Sequence, residues 1–174
     1  MPLSLHAAIV PSWLQILGSV RHLVDKAEIH CNEHGVAAAD LLGVRLIDDM
    51  YPLAFQFKSC WVHTERAIAA VRSGQFTRDP SDLPTSFAAI AAGIDQAIGA
   101  LAAVDAAELE QYIGREVAFA IEGQFAMRFT AENFLLGFSQ PNFYFHATTA
   151  YDILRSRGLS IGKRDFIGAM PLKH

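Results

Sequence analysis

The chain has 174 residues and a mass of 19.0 kDa, a length that predicts a single domain over residues 1–174 with a core of its own. Hydrophobic residues make up 52 % of the chain and charged residues 18 %, which excludes a disordered protein and argues against a coiled coil. The net charge of −4 is not accompanied by any basic stripe, so nucleic acid is not an expected partner.

No apolar run approaches the roughly 18 residues that a membrane helix needs, so a membrane partner is not expected either. The first residues lack the basic flank of a secretory signal. We therefore expect a cytoplasmic protein.

Four long segments carry apolar residues at helical spacing. In chain order, the helices are predicted to span about 5–34, 49–74, 86–104 and 130–157. Asp49 is expected to cap the second helix, with Pro52 in its first turn, and Thr130 to cap the fourth. Pro141 should kink the fourth helix because its ring removes a backbone N–H. A connector (36–47), a proline-containing loop (76–85) and a helical turn (105–112) join these segments.

Between the third and fourth helices the apolar period changes from 3.6 to 2. Residues of about 116–129 alternate in a way that predicts a β-hairpin, with Gly123 at the positive φ of its turn. Residues of about 159–174 have no periodicity and are expected to form an irregular tail. The predicted fold is all-α, a four-helix bundle with a small β-hairpin inserted before the last helix.

One face of the fourth predicted helix carries polar side chains among apolar ones. Asn142 and His146 are four residues apart, so their side chains meet on successive turns. The rest of that face consists of Leu135, Ser139, Ala150 and Ile153. A buried polar pair needs hydrogen-bond partners or a ligand. Either His146 is a core histidine bonded to Asn142 and to a neighbouring helix, or it is a metal ligand or catalytic base in an internal pocket.

The second predicted helix adds two further polar candidates, Gln56 and His63. Both lie at the edge of its apolar stripe, a position that can face either the core or solvent. The neighbouring Glu65 and Arg66 favour a surface position for His63.

Three stretches carry a resemblance to a known family: PNFYFHATTAYDILRSRG, the following IGKRDF, and the earlier DDMYPLAFQFK. Together they resemble a bacterial family of domains of unknown function within the DinB-like superfamily, and the resemblance covers nearly the whole chain. It implies a four-helix bundle that is commonly dimeric, so a homodimer is expected.

In the wider superfamily, three histidines bind a divalent metal, one from the second helix and two from the fourth at i and i+4. Some members are thiol transferases or thiol-dependent isomerases. His146 matches the second histidine of the fourth-helix pair, and Asn142 stands where the first would be. The second-helix position falls at Gln56 or His63.

The resemblance thus implies an internal pocket for a small molecule. His146, His63 and Asn142 are the candidate ligands of a zinc or nickel ion, His146 is the candidate catalytic residue, and Gln56 and Asn142 are candidate contacts to a bound cofactor or substrate. Two functions stay open. One is a metal-assisted activity like that of the thiol transferases and isomerases. The other is a non-catalytic dimeric binding or sensor module with a degenerate metal site.

Overall fold

The computed structural model describes residues 3–121 and 125–172, and in this part of the chain four helical segments surround one hydrophobic core. The first segment is α1 (Leu5–His34). The Ser4 side chain accepts a hydrogen bond from the Ala7 N–H and begins the helix, as an N-cap should. Gly35 ends it with a φ of 65°, a conformation that glycine adopts without a steric penalty. A short helix, α2 (Ala38–Leu42), lies in the connector.

The second segment is divided into α3 (Leu53–Val62) and α4 (Glu65–Ser73). The prediction of one continuous helix capped by Asp49 is wrong in both respects, because Pro52 occupies the cap position and the helix breaks at residues 63–64. At the break, the Thr64 hydroxyl donates to the Cys60 carbonyl at 2.7 Å and competes with the backbone pattern.

The third segment is α5 (Phe87–Ala102), followed by α6 (Ala106–Glu110). Each begins at a side-chain cap, Ser86 for α5 and Asp105 for α6. The predicted third helix and the helical turn after it are therefore confirmed.

A three-stranded sheet closes one side of the bundle. The predicted hairpin strands are confirmed as β2 (Glu116–Ile121) and β3 (Phe125–Thr130), which pair antiparallel. The predicted turn glycine, Gly123, lies outside the described residues. The sequence analysis missed β1 (Gln75–Phe76), which pairs parallel with β2 and brings Phe76 opposite Phe119.

The fourth segment consists of α7 (Ala131–Asn133), a π-helical stretch (Phe134–Ser139) and α8 (Gln140–Ser156). A single α-helix that is only kinked at Pro141 was the prediction, and the structure corrects it. The wider π-helical turn immediately precedes Pro141, whose ring has no N–H to give to the helix.

The tail is also more ordered than predicted, since it contains α9 (Lys163–Ile167). Asp165 accepts a hydrogen bond from the Gly162 N–H at 2.8 Å and forms an ion pair with Lys26 of α1 at 2.9 Å. These bonds begin the short helix and fasten it to the bundle.

The core confirms the predicted phase of the helices. Trp13 of α1 and Phe57 of α3 are fully enclosed. So are the residues that share the predicted face of the fourth segment, Leu135, Ser139, Ala150 and Ile153. Within the described ranges, no helix is long and apolar enough to cross a membrane.

Candidate functional site

A cavity of about 780 Å³ opens between α3, the fourth helical segment and the chain that follows β1. Its walls are mainly aromatic, and the rings are those of Tyr51, Phe55, Phe76, Phe119 and Phe138. The helices add the polar side chains of Ser59, His63, Asn142 and His146, and the chain that follows β1 adds the charged side chains of Arg78, Asp79 and Asp82. The predicted second- and fourth-helix candidates therefore meet around one cavity.

Gln56 lies behind His146 and is only 2 % exposed. Its Nε2 donates to the Tyr51 carbonyl at 2.9 Å, so its Oε1 is left as the acceptor for His146 Nδ1 at 2.7 Å. Because an amide oxygen can only accept, His146 carries its proton on Nδ1 and keeps a lone pair on Nε2. The Tyr51–Gln56 pair comes from the turn that leads into α3, since Pro52 forces an extended backbone there.

Asn142 does not hold the His146 ring. Its Nδ2 donates to the Phe138 carbonyl at 2.8 Å, one turn earlier on the same segment. The predicted hydrogen bond between His146 and Asn142 is therefore wrong: the backbone carbonyl competes successfully for the Asn142 amide group, and Gln56 of α3 takes its place at His146.

His63 is enclosed, with only 9 % of its surface exposed, and the predicted surface position is wrong. The His63 N–H still donates to the Ser59 carbonyl at 3.0 Å, so the residue keeps the phase of α3 and its edge position faces inward. Its ring centroid lies 5.6 Å from that of Phe76, 5.7 Å from Phe138 and 5.8 Å from His146. Its Nδ1 is buried without a hydrogen-bond partner in the described part of the protein.

Both imidazoles are neutral at physiological pH. Burial, and to a smaller extent the nearby His146, lower the pKa of His63 to about 3. Burial likewise lowers the pKa of His146 to about 4. The cavity thus presents two uncharged rings, and each has one nitrogen left that can form a hydrogen bond with a bound molecule.

A buried ion pair that the sequence analysis missed fastens the chain over the cavity. Lys58 of α3 donates to the Ser81 carbonyl and lies 3.6 Å from Asp79, which also pairs with Arg66 at 2.7 Å. Burial alone would raise the pKa of Asp79, but hydrogen bonds from Ser81 and Arg66 outweigh it and lower the pKa to about 2. The only sequence signal was the proline-containing loop itself, which does not indicate what it covers.

The donor set at this cavity does not match the three-histidine centre that the resemblance implies. His63 and His146 supply two imidazoles, and Asn142 supplies an amide whose nitrogen is already bonded to Phe138. An amide oxygen is a poor ligand for zinc or nickel beside imidazole. No group of three histidine, cysteine, aspartate or glutamate side chains that could hold a metal ion occurs in residues 3–121 and 125–172. The residues present do not fit this centre.

The bundle, its inserted hairpin and the cavity between the second and fourth segments define a protein of the DinB-like class. The chain is similar over its whole length to a DinB family member protein from Shewanella denitrificans, whose crystal structure matches with a TM-score of 0.81 and 26 % sequence identity. The match covers 98 % of this chain and 95 % of that one.

Residues 5–167 match the model of a domain of unknown function, DUF1993, and the chain belongs to that family. The predicted membership of a domain family of unknown function within the DinB-like superfamily is therefore confirmed. No protein with a curated description matches the chain.

Proposed function

We propose that this protein binds a small, largely apolar organic molecule in the aromatic cavity, and that His146 Nε2 accepts a hydrogen bond from that molecule. The observation that carries the proposal is the chain of hydrogen bonds from the Tyr51 carbonyl through Gln56 to His146 Nδ1. It orients the ring and leaves one acceptor, which a hydroxyl, thiol or N–H group of the ligand would satisfy.

The cavity has the character of a ligand site. Its volume of about 780 Å³ lies within the range of small-molecule pockets, and it combines aromatic walls with a few convergent polar groups. His63 Nδ1 is enclosed without a partner, so the other ring nitrogen, Nε2, is the one through which His63 can meet a ligand.

The pKa of His146 favours binding over base catalysis. A thiol with an ordinary pKa of about 8.5 would have to give its proton to an imidazole whose pKa is about 4, a transfer that is uphill by about 6 kcal/mol. His146 is therefore suited to accept a hydrogen bond rather than to remove a proton in the unliganded protein. This supports the binding or sensor module over the thiol transferase, and the catalytic role of His146 stays a prediction.

The remaining partner assignments are also predictions. A homodimer is expected from the resemblance, and sedimentation of the purified protein would measure it against the monomer mass of 19.0 kDa. The cytoplasmic location and the absence of a nucleic-acid partner are likewise expected from the composition alone.

The proposal is tested with a matched pair of apolar probes, 2-naphthol and 2-methoxynaphthalene, of which only the first can donate a hydrogen bond. NMR titration of the protein should give 2-naphthol about a five-fold lower Kd, the worth of one net hydrogen bond of about 1 kcal/mol. His146→Phe should remove this preference. His34→Phe, at the exposed end of α1, should keep it. Equal binding of both probes, or a preference that survives in His146→Phe, would contradict the proposal.

A further inference from the structure

We propose that the two imidazoles of the cavity recognise a neutral, planar carboxamide or lactam edge on an aromatic or apolar ligand. His146 Nε2 would accept from the N–H of that edge, and His63 Nε2 would donate to its carbonyl oxygen. The inference rests on the proposed binding function and names the chemical class of its ligand.

The acceptor half of the pair is fixed by Gln56. Because Gln56 Nε2 is bonded to the Tyr51 carbonyl, its Oε1 faces His146 Nδ1 and holds the proton there. His146 Nε2 consequently meets the cavity as an unprotonated nitrogen without a protein partner among the described residues. It can receive a donor but cannot supply one.

The donor half follows from the burial of His63. Its Nδ1 is enclosed without a partner, so a proton on that nitrogen would be a buried donor with nothing to accept it. With the proton on Nε2 instead, the N–H faces the cavity that His63 lines, where a ligand oxygen can accept it. The neutral ring therefore presents Nε2–H, the opposite character to His146.

The relative placement of the two rings fits a group with both functions on one edge. Their planes lie within 16° of parallel, their centroids are 5.8 Å apart, and no hydrogen bond joins them directly. A carboxamide places its N–H and its carbonyl oxygen side by side in one plane, so a single edge offers a donor for His146 and an acceptor for His63. Phe55 and Phe138, each with a ring centroid within 5.8 Å of one imidazole, would cover the flat body of the ligand.

The charges around the cavity favour a neutral ligand. Lys58 and Asp79 are paired with each other, and the exposed Arg78 and Asp82 carry opposite signs. A carboxylate would offer two acceptors, one of which would face the lone pair of His146 Nε2 and be repelled. The recognised edge is thus an amide rather than an acid in its ionised form.

The test compares 2-naphthamide with methyl 2-naphthoate, which keeps the carbonyl but lacks the N–H, and with 2-naphthoate. In NMR titrations at pH 7, we expect 2-naphthamide to bind about ten-fold more tightly than either, because only the amide presents an N–H to His146 Nε2. His146→Phe should abolish the advantage of the amide over the ester. His63→Phe should weaken the amide and the ester by a similar factor, about five-fold, because both carry the carbonyl, and it should keep the preference for 2-naphthol over 2-methoxynaphthalene, which depends on His146. His34→Phe serves as the matched control.

Each outcome separates the two proposals. If 2-naphthol is preferred but the amide binds no better than the ester, the amide assignment fails and the binding function stands. If none of the naphthalene probes binds, both fail. Should His63→Phe not fold, ¹⁵N spectra of wild-type imidazoles decide: the assignment requires Nε2–H on His63 and Nδ1–H on His146, and the same tautomer on both rings would overturn it.

Discussion

Gln56 Oε1 accepts the Nδ1 proton of His146 across 2.7 Å, although 90 positions separate the two residues in the chain. This bond joins α3 to α8 and sets the tautomer of the ring that faces the cavity. The chemistry of the site depends on it more than on any other contact, because it decides which nitrogen of His146 meets a ligand.

Replacing Gln56 with methionine, which has a similar length but no amide, should destabilise the protein. The His146 N–H and the Tyr51 carbonyl both lose their partner, so we expect the free energy of unfolding to fall by about 1–3 kcal/mol. Urea denaturation measures the loss. Gln96→Met is the matched control, since Gln96 bonds Glu65 on the exposed surface, and it should cost less than about 0.5 kcal/mol. Equal losses for the two variants would mean that the bond to His146 contributes nothing.

The stability of the protein should fall as the pH decreases below the ordinary pKa of histidine. The folded-state pKa values of about 3 for His63 and about 4 for His146 lie below the unfolded value of 6.5, so the unfolded chain takes up protons first. Each ring should reduce the free energy of unfolding by up to about 1.4 kcal/mol per pH unit between the two values.

The urea midpoints of the wild type and of His63→Phe, measured at pH 7 and pH 5, test this dependence on pH. The variant should have a smaller difference between the two pH values, because it has lost one of the two titrating rings. An unchanged difference would show that His63 is protonated as readily in the folded protein as in the unfolded chain.

With only two imidazoles at the cavity, we expect the protein to bind a metal ion weakly, and a third imidazole should make the binding strong. Asn142→His would add a third imidazole to His63 and His146, and we expect this variant to take up one equivalent of zinc after dialysis against the ion. The wild type and Asn142→Gln should retain well below one equivalent, and a chelator should not change their melting temperatures. Elemental analysis measures the metal content. The prediction would be contradicted if the wild type held one equivalent of zinc and a chelator both removed the zinc and lowered the melting temperature. Two imidazoles would then be enough to bind the metal ion.

The core assignment of α1 can be tested on residues of the same helix. Trp13 is fully enclosed, so Trp13→Ala should reduce the free energy of unfolding by about 3–5 kcal/mol. Ile29 is 53 % exposed, and Ile29→Ala should cost no more than about 0.5 kcal/mol. Chemical denaturation measures the free energy of unfolding of both variants. Similar losses for the two would contradict the assignment.

Much of the fold could be predicted because the signals are local. The apolar spacing is encoded within each segment, and it places α1 (Leu5–His34) and α5 (Phe87–Ala102) correctly. The alternation that predicts the hairpin is equally local. The parallel pairing of β1 with β2 joins residues far apart in the chain, such as Phe76 and Phe119, and no pattern within either stretch indicates it.

The site was predictable in its residue types but not in its bonds. Spacing on the fourth helix brought Asn142 and His146 to one face, and both do line the cavity. The partner of His146 could not be predicted from the fourth segment alone. Asn142 donates to the Phe138 carbonyl instead of meeting His146, and the partner of His146, Gln56, lies on a different helix. His63 was misassigned because its edge position on the helix does not show what covers it, and the rings that do, Phe76 and Phe138, come from distant parts of the chain.

The most direct test of the account is the tautomer of His146 in the unliganded protein at pH 7, read from long-range ¹H–¹⁵N correlations of its ring. The bond to Gln56 predicts a neutral imidazole with its proton on Nδ1 and an unprotonated Nε2. A proton on Nε2, or a doubly protonated ring at this pH, would contradict it, because the cavity would then lack the acceptor on which the proposed ligand binding depends.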